Sequence, residues 1–138
     1  MIFVEGDVGL YMKKITKVLL LYAIYPNKND FRKIQMLGIS YLQSVIKKKG
    51  IECDRKDTGI YRKKFNEEDI VKEIIDNNYD LVGFSILYAN TELSLEIAKK
   101  VKSINKNIII LFGGMNATIL HQELIDKYKF IDVLSRSD

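Results

Sequence analysis

The feature that most narrows the fold is a repeated switch of period: a short apolar run, then a helical stripe, then another apolar run, with short connections between them. Val18-Leu19-Leu20-Leu21-Tyr22 is apolar without interruption, as a strand covered on both faces should be. The spacing then predicts a helix over Met36 to Lys49, with Leu37, Tyr41, Leu42, Val45 and Ile46 as its core-facing stripe. Lys47 to Lys49 suit the end of that helix, and Gly50 stops it. Ile51 to Asp54 reads as a short strand near a sheet edge, and Arg55 to Phe65 as polar loop. Asn66 is placed to cap a helix with Glu67, Glu68 and Asp69 in its first turn and Ile70, Val71, Ile74 and Ile75 facing the core. Asp80 to Ile86 is the third strand. Leu93, Ile97, Ala98, Val101 and Ile104 form the next stripe, entered near Asn90-Thr91. Ile108 to Phe112 is a wholly apolar fourth strand, broken by Gly113-Gly114. A helix starting at Asn116 or Thr118 carries Leu120, Leu124, Ile125 and Tyr128, and Phe130 to Leu134 reads as a fifth strand.

Alternation of this kind builds a parallel sheet with helices on both faces. Ligands then bind outside the C-terminal ends of the strands, near the point where the winding direction reverses. Three loops lie there: Tyr25 to Gln35, Ser85 to Thr91, and Gly113 to Thr118. Met1 to Met12 fits the rhythm poorly, so residues 1–16 are set apart as an N-terminal extension and residues 17–138 form the domain.

Composition removes several classes of function. A chain of 138 residues, 47% hydrophobic and 29% charged, has the size and make-up of one globular domain. The lone Cys53 excludes an internal disulfide and any multi-cysteine zinc or iron–sulfur site within this stretch. The lone His121 argues against a poly-histidine metal centre and against most triad chemistry. Of the 22 cations, 18 are Lys and 4 are Arg, a poor balance for reading phosphates, so no nucleic-acid partner is expected. No apolar run has the roughly 18 residues of a membrane span. Lys13 to Tyr25 resembles a signal peptide superficially, but it lacks a cleavage site and runs into Pro26, so the cytoplasm is the expected compartment.

The loops themselves exclude more. The turn after the first strand, Tyr25-Pro26-Asn27-Lys28-Asn29, has no glycine to admit a pyrophosphate. There is no phosphate loop and no GxSxG elbow, and the third strand ends in Ser85-Ile86-Leu87 rather than in an acceptor aspartate. What remains is small, polar and neutral. Ser85 offers a hydroxyl, Gly113-Gly114 permits close approach to backbone, and Asn90, Thr91 and Asn116 offer hydrogen bonds. Together they suggest a groove for a large, mostly neutral ligand. No catalytic residue and no protein metal ligand is assigned.

Three stretches, with a fourth closing the series, carry a resemblance. Leu37-Gly38-Ile39-Ser40-Tyr41-Leu42, continuing to Lys49-Gly50-Ile51-Glu52-Cys53, is followed by Tyr79-Asp80-Leu81-Val82-Gly83-Phe84-Ser85. Then come Ile110-Leu111-Phe112-Gly113-Gly114-Met115-Asn116-Ala117-Thr118 and Ile131-Asp132-Val133-Leu134. In order and spacing they resemble the cobalamin-binding domain at the N-terminus of many radical S-adenosylmethionine enzymes. The resemblance implies a flavodoxin-like (Rossmann-like), doubly wound, five-stranded parallel sheet. It implies that the cobalamin nucleotide tail enters a slot beside the third and fourth strands and that the corrin ring rests over the loops. Ser85, with Leu87, Asn90 and Thr91 after it, would line the slot; Gly113 and Gly114 would make room, with Asn116 beside them.

The chain also departs from the family at several positions. The DxHxxG motif, whose histidine ligates cobalt in the mutases, is missing after the first strand, and His121 is expected on the surface of a late helix. The implied cofactor would be held base-off without a histidine ligand. Met115-Asn116 stands where the family has Pro-His, and Ser135-Arg136-Ser137-Asp138 replaces its acidic close. No CxxxCxxC motif is present, so an iron–sulfur cluster and S-adenosylmethionine would belong to a separate downstream domain. Two other readings stand beside this one: a docking domain of the same family that binds no cofactor, and an unrelated flavin- or nucleotide-binding doubly wound domain.

Overall fold

A computed structural model describes residues 14–25, 37–60 and 65–137. Five parallel strands form one sheet in the order β2-β1-β3-β4-β5: β1 Lys17–Tyr22, β2 Glu52–Asp57, β3 Leu81–Ser85, β4 Ile109–Gly113 and β5 Val133–Leu134. The helices are α1 Leu37–Lys48, α2 Glu67–Asp76, α3 Thr91–Ile104, α4 Met115–Ile119 and α5 His121–Lys127. This is the expected α/β architecture. The opening segment Met1 to Met12 and most of the Tyr25 to Gln35 loop lie outside the described residues.

Each face of the sheet has its own core, which is why β1 is apolar at every position after Lys17. Leu19 and Leu21 point into the larger cluster, where Ile70, Val71 and Ile74 of α2 and Leu93, Ile97 and Val101 of α3 cover the sheet. The neighbouring Val18, Leu20 and Tyr22 point the other way, onto Ile39 of α1 and Cys53 of β2. Burial pushes the Cys53 thiol pKa up, so it behaves as a small apolar side chain.

The helix ends obey their local chemistry. Asn66 Oδ1 accepts from the Asp69 amide at 2.9 Å, the Asp69 carboxylate reaches back to the Asn66 amide, and three acids occupy the first turn of α2. Gly50, at φ +78°, terminates α1.

Four expectations are corrected. The strand expected over Ile51 to Asp54 runs instead to Asp57, paired residue for residue with β1 from Lys17↔Glu52 to Tyr22↔Asp57. Its polar side chains lie on both faces of an edge strand: Arg55 bonds to Ser40 on the α1 side and Lys56 pairs with Glu73 on the α2 side. The fifth strand contracts from Phe130–Leu134 to Val133–Leu134, because Ile131 closes a turn on the Tyr128 carbonyl. The last helix starts at Met115 rather than at Asn116 or Thr118 and breaks at Leu120 into α4 and α5. Of the stripe assigned to α1, Leu37 is 77% exposed, Tyr41 72% and Leu42 48%; Ile39 is the buried residue instead. α1 covers only the narrow margin of β1 and β2, so one apolar row suffices. On its inner side Gln43 donates to the Cys53 carbonyl at 2.9 Å.

Candidate functional site

The winding reverses between β1 and β3, since the chain leaves β1 toward β2 and leaves β3 toward β4. The loops after β3 and β4 therefore stand together at the C-terminal rim, and the ladder ends there with Ser85 opposite Gly113.

These two loops are laced to each other. The Ile86 amide donates to the Gly113 carbonyl at 2.8 Å, and the Asn116 amide donates to the Ile86 carbonyl at 3.1 Å. Asn90 is 1% exposed. Its Oδ1 accepts from the Leu87 amide at 2.7 Å, and its Nδ2 donates to the Ser85 carbonyl at 2.9 Å. The Thr91 hydroxyl donates to the Leu87 carbonyl and accepts from Asn116 Nδ2, both at 2.7 Å. Three side chains expected to face a ligand thus spend these hydrogen bonds on the loop frame. Leu87 likewise leans onto the α1-side cluster that holds Tyr22 and Ile39.

The two glycines differ. Gly114 sits at φ +98°, and a Cβ there would lie 2.8 Å from the Ile86 carbonyl oxygen. Its lack of a side chain is demanded by the neighbouring loop whether or not a ligand is present. A Cβ on Gly113 would meet only Ser135 Cβ at 3.6 Å and Leu111 Cδ2 at 3.9 Å, which are ordinary contacts. The half-buried Ser85 hydroxyl has no hydrogen-bond partner among the described residues. Of the expected site residues, Ser85 and Gly113 are therefore the pair left available, side by side on adjacent strands.

The loops 86–90 and 114–118, after β3 and β4, carry no charged side chain. Among the described residues no three His, Cys, Asp or Glu side chains converge in a way that could hold a metal ion. His121 is half-buried, with Nδ1 3.1 Å from the Thr118 carbonyl oxygen. The C-terminal residues close the β5 side: the Ser135 amide continues the ladder to Phe112, and the Ser137 amide donates to Thr118. The Gly113 corner, the Ser85 hydroxyl without a hydrogen-bond partner among the described residues and the uncharged loops after β3 and β4 are compatible with a large organic cofactor.

The charged groups gather to one side, where α2 and α3 start. Lys100 bridges Glu67 and Glu68 at 3.0 and 2.8 Å, and those contacts push its pKa up to about 12. Glu67 Oε2 is buried without a donor, and the neighbouring Glu67 carboxyl, by hydrogen bonding and charge, raises the Glu96 pKa. Tyr25, stacked on Phe65 at 5.6 Å, is raised by burial and then by these acids. Sequence reasoning missed this cluster because its members are far apart in the chain and meet only when α2 packs on α3.

The family model for the B12 binding domain matches residues 32–136, about three quarters of the chain. No curated protein matches it.

Proposed function

The chain belongs to the B12-binding domain family, and from that premise we propose that the rim above β3 and β4 holds cobalamin. The observation that carries the reading is the Ser85–Gly113 corner at the end of two adjacent strands, where a Cβ on Gly113 would meet its neighbours, Ser135 and Leu111, no closer than 3.6 Å. In this reading the nucleotide tail lies against that corner, with the Ser85 hydroxyl as hydrogen-bond donor. Asn90, Thr91 and Asn116 act by holding the two loops in register, and Gly114 acts by letting them touch. In this reading, lodging the tail at the corner would draw its base away from the cobalt, so the cofactor would be held base-off without a histidine ligand from this chain.

Bound cobalamin supplies methyl transfer or assists radical chemistry; this stretch supplies position and exclusion of water. The chemistry itself belongs to a partner domain of the radical S-adenosylmethionine type, which would bring an iron–sulfur cluster and S-adenosylmethionine.

The test is a titration of purified protein with hydroxocobalamin and methylcobalamin, read by visible spectrum and calorimetry. Saturable one-to-one binding with a base-off spectrum is expected. Gly113→Leu should weaken it about tenfold or more by filling the corner, with unchanged far-ultraviolet circular dichroism. Gly114 is unsuitable as a probe because any side chain there strikes Ile86. A folded chain that takes up neither form sinks the reading in favour of a docking domain without cofactor. A yellow flavin spectrum on the purified protein points instead to the unrelated doubly wound fold.

A further inference from the structure

Two surface grooves flank α3, and they differ in how their charges are satisfied. Between α2 and α3 the charged side chains pair within the chain, Lys72 with Asp76 and Lys100 with Glu68. The groove on the other side, between α3 and the end of α5, has a volume of about 470 Å³. Leu95, Tyr128 and Phe130 form its apolar floor. Each is half-buried against the larger core, and the two rings lie 5.7 Å apart. On the α3 wall Glu92, Glu96 and Lys99 follow at i, i+4 and i+7, so they share one helix face, acids toward the start and cation beyond. The opposite wall carries cations alone: Lys127, 5.4 Å from the centre of the Tyr128 ring, and Lys129. All five charged side chains are exposed. Glu92, Lys99, Lys127 and Lys129 have no ion-pair partner among the described residues. The charge of Glu92 also adds to the rise in the Glu96 pKa, so the two acids stand within each other's field.

An acidic partner would repel Glu92 and Glu96, and a basic one would repel the three lysines. A surface of the reversed pattern answers both, and this chain carries that pattern itself. A two-fold axis through the groove turns each wall onto the opposite wall of a second copy. The acids then meet cations twice over, the apolar floors meet each other, and the unlike charges fix the register. We propose that this groove is the interface of a symmetric homodimer, in which Glu92 and Glu96 of one copy face Lys99, Lys127 and Lys129 of the other around an apolar centre of Leu95, Tyr128 and Phe130. The interface is independent of what the rim holds, because none of these residues belongs to the loops after β3 and β4.

Sedimentation velocity of the full chain over a concentration series, at low and high salt, tests this, with circular dichroism as the check on folding. Wild type should be a monomer–dimer mixture whose dissociation constant rises with salt. Glu92→Lys makes the patch predominantly basic, and Lys99→Glu with Lys127→Glu makes it predominantly acidic. Each chain alone should dimerise about tenfold more weakly or worse at low salt. Mixed one to one, the two variants should recover a dimer of wild-type affinity, because the charges are again opposite at both halves of the interface. A misfolded chain cannot give that recovery. Should the double reversal fail to fold, Lys99→Glu alone mixed with Glu92→Lys gives the same pairing. Wild type that stays monomeric at every concentration overturns the interface. A dimer whose dissociation constant either reversal leaves unchanged overturns it too, since that dimer forms elsewhere. Loss in both variants without recovery on mixing overturns the two-fold pairing of acids with cations.

Discussion

Asn90 and Asn116 look from their residue type like ligand groups, and the fold uses them differently. An asparagine at the mouth of a parallel sheet meets loop backbone before it meets solvent, and Asn90, at 1% exposure, satisfies Ser85 and Leu87. Gly114 is expected from the sequence to let a ligand approach closely; in the fold the Ile86 backbone is what stands against it. No one-dimensional signal separates those cases, since both need a residue without Cβ. A pH effect belongs to the same scale. The Glu67 carboxyl, foremost, raises the Glu96 pKa, with burial and Glu92 adding to the rise and Lys100 opposing it. That pKa is raised in the folded state, so the folded chain holds the Glu96 proton more tightly than the unfolded chain. The resulting stability is present at low pH and lost as pH rises from the ordinary carboxylate value through the raised one. Glu96→Gln offers an amide donor to Glu67 Oε2 at every pH. Thermal melts between pH 4 and 8 should show the variant gaining stability over wild type as pH rises. A constant offset across that range would mean that Glu96 titrates alike in the folded and unfolded chain.

At the scale of elements, two strands are pegged by the same device. Asp80 stands immediately before β3, and its Oδ2 accepts from the Thr16 amide at 2.8 Å, the Thr16 hydroxyl at 2.8 Å and the Lys17 amide at 3.0 Å. Asp132 stands immediately before β5, and its Oδ2 accepts from the Ile110 amide at 2.8 Å and from Lys102 at 2.6 Å. Each carboxylate ties the entry of its strand to a neighbouring strand, so the aspartates of Tyr79-Asp80-Leu81 and Ile131-Asp132-Val133 are structural. The peg at Asp80 also draws Ile15 and Thr16, set apart as extension, onto the sheet. Asp80→Ala should cost about 1–3 kcal/mol by leaving two strand amides without their acceptor, and Asp80→Asn distinctly less. Chemical denaturation of the three proteins measures both. Element type was legible where period was strong, as in α2 and β4, and weakest at the edges. β2 continues through Arg55-Lys56-Asp57 because backbone pairing to β1 holds it, and its exposed face demands nothing apolar.

At the scale of the whole molecule, the proposed site lies at the reversal of winding, and binding there must stabilise the fold that builds it. Saturating hydroxocobalamin should raise the melting temperature, by the equivalent of about 2.7 kcal/mol at a hundred times the dissociation constant. Wild type should shift and Gly113→Leu should shift less at equal concentration, measured by calorimetric scans. The amino-acid sequence by itself determined the presence of five strands, four of them apolar, the helix caps at Asn66 and Gly50, and the uncharged loops after β3 and β4. These arise from local periodicity and side-chain chemistry, which need no knowledge of neighbours. Only the tertiary structure decided which rim residues remain free. That choice depends on how closely the loops after β3 and β4 pack. Their contact consumes Asn90, Thr91 and Asn116, forbids a side chain at Gly114, and leaves Ser85, Gly113, Tyr88 and Met115 facing outward or open.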